Sequence, residues 1–170
     1  MKNEQDIILD IRDLAVEFDT YGGTVQAVRG VSYQIQRGKT LAVVGESGSG
    51  KSVTVQAIMG LIPMPPGRIV RGEALLNGVD LLKLNDKDAR QYRGRDIAMI
   101  FQDPMTSLNP TMKVGHQISE TLILHKGLSK SEAWIEAVRL MDLTRIPEAA
   151  KRANQYPFEF SGGMLQRVMI

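Results

Sequence analysis

Up to about residue 103 the apolar residues fall in short runs, several with the every-second-residue alternation of half-buried strands. Beyond it they recur every third or fourth residue, the spacing of amphipathic helices. Segments 7–16 and 31–35 alternate, whereas 40–44, 69–76 and 97–101 are short apolar runs rich in β-formers, so five strands are predicted. Gln36-Arg37-Gly38-Lys39 turns the chain into 40–44, and Asn77-Gly78 after 69–76 is a hairpin turn signal. A helix is predicted over 53–61, with Val53, Ala57, Ile58 and Leu61 apolar, broken by Pro63-Met64-Pro65-Pro66-Gly67. A proline-punctuated loop over 103–110 precedes amphipathic helices at 114–124 and 129–143 and a short one at 147–155. Ser129 followed by Glu132 is a capping-box signature. The layout predicts an α/β core with a mostly helical second half.

Composition narrows this only a little. The 170 residues suit one domain, or one and part of another. Lys and Arg number 21 against 19 Asp and Glu, and a net charge of +2 gives no argument for a nucleic-acid partner. Cysteine is absent, which excludes disulfides and thiolate metal sites in these residues. No apolar run reaches the about 18 residues that a membrane helix needs, and the charged start MKNEQDIILD is unlike a signal peptide. A soluble, cytoplasmic chain is expected. His116 and His125 have no third partner for a metal, and Trp134 has the helical spacing of a core residue with Val138 and Met141. The mixed charges of 83–95 read as a solvated face, and the scattered methionines as gap-filling core.

The sharpest chemistry lies in GESGSGKS, residues 45–52, which matches G-x-x-x-x-G-K-[ST]. A predicted strand precedes it and a predicted helix follows, the context that an accidental glycine-rich turn lacks. Gly45, Glu46, Ser47, Gly48, Ser49 and Gly50 form a loop whose N–H groups can turn inward onto phosphate oxygens. Lys51 is placed to reach the β- and γ-phosphates and the Ser52 hydroxyl to hold Mg²⁺. A second anion-binding turn is suggested at Phe160-Ser161-Gly162-Gly163-Met164, where a serine and two glycines open a helical stretch. Two such turns in one chain suggest two ATP half-sites, each completed by another subunit.

With the phosphate loop, Phe101-Gln102-Asp103 and Ser161-Gly162-Gly163-Met164 in this order, the chain resembles the ATP-binding subunits of ABC transporters. Gln102-Asp103-Pro104-Met105-Thr106-Ser107-Leu108-Asn109-Pro110 and a signature ending in Met are similar to the oligopeptide and dipeptide importer branch. Leu165 departs from that pattern, standing where those proteins usually carry a basic residue, which puts a peripheral contact in doubt.

The resemblance implies a P-loop NTPase (RecA-like) fold with an antiparallel β portion and a helical subdomain. It implies boundaries at 1–103 for the nucleotide core, 104–160 for the helical subdomain and 161–170 for the signature and the start of its helix. It further implies that Ser161, Gly162 and Gly163 contact the γ-phosphate held by an opposite ATPase subunit. Gln102 would reach Mg²⁺ and the attacking water. Phe18, or Tyr21 as second choice, would stack on adenine, the plain alternative being that these rings pack in the β-core. ATP and Mg²⁺ are the implied cofactors. The implied partners are a second ATPase subunit (homo- or heterodimer), two transmembrane permease subunits and an extracellular peptide-binding protein, with no nucleic acid. The implied location is the cytoplasmic face of the cell membrane.

Two other readings remain at this point. A P-loop kinase or GTPase would use Asp103 as its Mg²⁺ carboxylate, but Gln102 intervenes, Pro104 follows and no Asn-Lys-x-Asp occurs. An ABC ATPase without a membrane partner would carry long coiled-coil or linker segments, and none is visible. In the resembled family a carboxylate pair ends an apolar strand beyond the signature. The sequence ends at Ile170, so the chain is expected to be a fragment that binds ATP without hydrolysing it efficiently.

Overall fold

The computed structural model describes residues 6–104 and 106–170. Its chain divides into two units, Met1–Arg93 and Gly94–Ile170.

In the first unit β1 (Ile7–Thr20) and β2 (Gly23–Gln36) form a hairpin. β3 (Gly67–Leu76) pairs with the other edge of β1, and the short β4 (Val79–Asp80) with β3, giving the antiparallel order β2-β1-β3-β4. Both hairpin strands run well past the segments whose alternation predicted them. Their added halves carry Glu17, Asp19, Thr24 and Gln26, which hide the alternation but pair through the backbone from Glu17↔Gln26 to Thr20↔Gly23. Cross-strand bonds from Thr24 Oγ1 to Asp19 Oδ1 (3.1 Å) and Gln26 Nε2 to Glu17 Oε1 (3.3 Å) support that pairing. Midway along β1, Asp13 takes φ 43° at an irregularity in the register, so two buried runs, 9–11 and 14–16, replace one alternating series. Between β3 and β4, Asn77 (φ 48°) and Gly78 (φ 84°) make the expected tight turn.

Helix α1 (Lys51–Ile58) packs on β1 and β2 and buries Thr54, Ala57 and Ile58. It stops short of the expected residue 61 because Gly60 (φ 62°) terminates it. The Gly60 N–H bonds to Ala57 O at 3.0 Å and the Leu61 N–H to Gln56 O at 2.8 Å, a Schellman closure. A one-turn 3₁₀ helix (Leu81–Lys83) and the short α2 (Asp86–Ala89) complete the unit.

The second unit is built on α3 (Val114–Lys126) and α4 (Lys130–Leu143), joined by a tight connection at Gly127–Ser129. The capping box forms: Glu132 N donates to Ser129 Oγ (3.3 Å) and Ser129 N to Glu132 Oε2 (2.9 Å). The helix expected over 147–155 contracts to α5 (Ala149–Arg152), followed by a 3₁₀ turn (Pro157–Glu159) and α6 (Gly162–Val168). Val114, Met141, Ile146, Phe160, Met164 and Leu165 form its core, with Trp134 and Val138 packed against them.

Two predicted strands do not form. Segments 40–44 and 97–101 carry no strand assignment, and Leu41, Val43, Val44, Ile100 and Phe101 are exposed, Val44 to 90%. Composition gave both runs high β-propensity, but a strand exists only through hydrogen bonds to a neighbour. Among the described residues neither run joins a sheet, and only Ile97 makes an isolated bridge.

Candidate nucleotide-binding site

The loop 45–50 leads straight into α1, and two of its glycines, Gly48 (φ 79°) and Gly50 (φ 89°), hold left-handed backbone. Gly50 is the N-cap residue and has no side chain to cap the helix. Among the described residues no carbonyl accepts from the backbone N–H groups of Lys51, Ser52 or Val53. The helix therefore presents open donors and the positive end of its dipole at the loop. Lys51 opens the helix and folds its side chain back across the loop. Its Nζ donates to Gly45 O (2.7 Å), Glu46 O (2.6 Å) and Ser49 Oγ (3.2 Å). Gly45, Glu46, Ser49 and Lys51 are thus brought together around one ammonium group. Ser52 is exposed in the first turn of α1, and its hydroxyl makes no hydrogen bond within the described residues.

Two supports of this loop escaped the sequence reading. Buried Thr54 donates from Oγ1 to Gly50 O at 2.9 Å and pins the loop to the first turn of α1. At the far end of α1, Arg93 Nε donates to Met59 O (2.8 Å) and Nη2 to Gly60 O (3.1 Å), while Nη1 pairs with Asp86 at 2.9 Å. The Arg93 side chain is only 24% exposed, so the expected solvated face over 83–95 is corrected at this residue. The guanidiniums of Arg93 and Arg90 hold the Asp86 carboxyl below its usual range. A run of mixed charge gives no signal of which member reaches a helix terminus more than thirty residues away.

Phe18 is half-buried in β1, paired with Val25 and Gly67, and a Cβ on Gly67 would lie 3.0 Å from its ring. Tyr21 stands fully exposed at the hairpin tip. Gln102 and Ser161–Gly163 belong to the second unit. Gln102 is exposed in the loop before α3, with Asp103 beside it accepting from Thr106 Oγ1 (3.2 Å) and Ser107 Oγ (2.7 Å). Ser161 is the N-cap residue of α6, and Ser161, Gly162 and Gly163 are exposed, with no atom within 4 Å of where a Cβ on either glycine would stand. Met164 and Leu165, next in line, are buried and root that turn in the core. Leu165, the departure from the family pattern that put a peripheral contact in doubt, is 1% exposed, so its position is a packing one. Among the described residues no three His, Asp or Glu side chains converge to hold a metal.

Residues 28–170 match the family model described as ABC transporter. The chain belongs to the ABC transporter family. It is 61% identical to the oligopeptide transport ATP-binding protein OppD of Bacillus subtilis, over 96% of this chain and 46% of that protein. It is 53% identical to the dipeptide transport ATP-binding protein DppD of the same organism (96% and 49%) and 51% to OppD of Escherichia coli (99% and 50%). This ABC family chain thus spans about half the length of the curated relatives it matches. Among solved structures it is similar to MJ0796, a dimeric ATP-binding cassette bound to ADP and Pi, with TM-score 0.82, 23% identity, and coverage of 95% of this chain and 66% of that one. That likeness establishes the ABC cassette fold, and family membership sets aside the kinase and GTPase reading.

Proposed function

We propose that this chain is part of the ATP-binding subunit of an ABC importer that couples ATP binding and hydrolysis to uptake of oligopeptides or dipeptides. The observation that carries the proposal is the Lys51 ammonium drawn across the loop, 2.6–2.7 Å from the carbonyls of Gly45 and Glu46, at the open N-terminus of α1. A cation and a set of unpaired N–H groups facing one loop suit a chain of phosphates. The names of the relatives, peptide-transport ATP-binding proteins, supply the cargo class.

In this reading Gly45 through Ser52 hold the triphosphate, with Ser47, Gly48 and Gly50 giving it backbone donors. The Ser52 hydroxyl, without a hydrogen bond within the described residues, would hold Mg²⁺, and the family resemblance gives Gln102 the same task; the ion would supply neutralisation of phosphate charge. Ser161, Gly162 and Gly163, exposed and unobstructed, meet the γ-phosphate held by a second ATPase subunit. Phe18 stacks on adenine; Tyr21, fully exposed, is the weaker candidate. The partners are that second ATPase subunit, two transmembrane permease subunits and an extracellular peptide-binding protein, with the subunit on the cytoplasmic face of the membrane.

Titration of a fluorescent ATP analogue against wild type and Lys51→Ala tests the site. Losing one charge-assisted contact worth about 1.5–3 kcal/mol weakens binding roughly 10- to 100-fold. Equal affinities would remove the phosphate-loop assignment. Co-purification with permease subunits, as against ribosomes or nucleic acid, separates the importer from a non-transport ABC ATPase.

A further inference from the structure

The half-buried Gln117, on the first turn of α3, touches none of the residues assigned above, yet its amide makes three hydrogen bonds to the loop that follows Gln102. Its Oε1 accepts from Asn109 N at 2.9 Å, and its Nε2 donates to Asn109 O and to Met112 O, both at 2.9 Å. The orientation is forced, since a backbone N–H can only donate and the two carbonyls can only accept. The loop is stiffened from within by Asn109 Oδ1, which accepts from Thr111 N (3.0 Å) and Thr111 Oγ1 (2.8 Å). Leu108, next to the clamped residue, packs against the cluster that contains Met164 and Leu165 of α6. The start of α3 is tied in turn to the strand of chain leading to the signature, by Val114 N to Gln155 O and Gly115 N to Ala153 O, both 2.9 Å.

We infer that Gln117 is a positioning residue that locks residues 109–112 to α3, so that displacement of this loop is passed to the signature turn at Ser161–Gly163. The inference rests on the proposed importer function, and takes the exposed residues of this loop, Ser107 and Asn109 among them, as the surface that docks on a permease subunit. The lock is polar and lies among exposed residues, where water can replace its bonds, so its loss changes coupling more than stability.

Gln117→Leu keeps the bulk and removes all three bonds, whereas Gln117→Glu keeps the acceptor but turns a carboxylate oxygen toward two carbonyls. In the assembled transporter, Gln117→Leu should speed amide hydrogen exchange at Asn109. It should also lower permease-stimulated ATP turnover about fivefold, within the range for residues along a coupling route. KM for ATP should hold, and Gln117→Glu should be the more severe. Wild-type exchange at Asn109, or faster exchange with unchanged stimulation, overturns the inference. Crosslinking from Ser107 separates the two claims: no permease adduct in the wild type, with Asn109 exchange still accelerated in Gln117→Leu and turnover still lowered, removes the docking reading and retains the lock.

Discussion

Gly50 stands so close to Ala27 of β2 that a methyl group at Gly50 would overlap the Ala27 carbonyl oxygen. The contact seats the phosphate loop on the antiparallel sheet, and Gly50 also holds φ 89°, where other residues are strained. Gly50→Ala is therefore expected to cost about 1–3 kcal/mol from backbone strain alone. The shift of the loop should weaken ATP binding as well. Thermal melts beside analogue titrations check both effects, and wild-type values in both would show that the loop relaxes without consequence.

Asp80 makes stability depend on acid. Burial acts to raise its pKa, but the Ala74 N–H (3.1 Å), the Leu82 N–H (3.2 Å) and the Lys83 ammonium (3.0 Å) together outweigh it and hold the carboxyl below 3.8. A carboxyl with a lowered folded-state pKa stabilises the protein above its unfolded value. That contribution is complete above about pH 4 and is lost as the pH falls through the depressed value. Denaturant midpoints from pH 6 downward should converge for wild type and Asp80→Asn at the acid end. A constant gap across that range would rule the carboxylate out as the cause.

Leu165→Ala should destabilise the second unit by about 2–5 kcal/mol, the range for emptying a packed leucine site. Leu165 is among the most deeply buried side chains of the cluster and follows the signature turn directly. The check is a calorimetric melt, and a loss below about 0.5 kcal/mol, the scale of surface substitutions, would show that Leu165 contributes little to this core.

The 170-residue chain should release phosphate from ATP no faster than its Lys51→Ala variant. Hydrolysis needs a carboxylate near Mg²⁺ and a group that positions water, in addition to the phosphate cradle. Asp103, the carboxylate nearest in pattern, accepts from Thr106 Oγ1 at Oδ2, and its backbone carbonyl accepts from Ser107 Oγ, both in its own loop. Turnover of about 1 per second, typical of enzymes, would place a catalytic carboxylate among these residues.

The phosphate loop, the Asn77-Gly78 turn and the Ser129–Glu132 box could all be read from the chain itself. Each is closed by backbone angles or by side-chain bonds spanning a few residues, so local chemistry suffices. The α1 boundary was misread by three residues because Gly60 acts there as a terminator, a signal that the apolar spacing of Leu61 obscured. The lock at Gln117 left no trace in the hydrophobic pattern, since a half-buried glutamine on a helix looks like any solvated one.

By itself the sequence determined the glycine-rich loop at the start of α1, the strand-rich and helix-rich halves and the local caps, because φ preferences and side chain to backbone bonds act over a turn or two. Tertiary structure alone decided that 40–44 and 97–101 form no strand, that Gly50 meets Ala27, that Arg93 closes the end of α1 and that Leu165 is core. Those outcomes depend on which distant segments come into contact, and strand pairing and burial exist only between such segments.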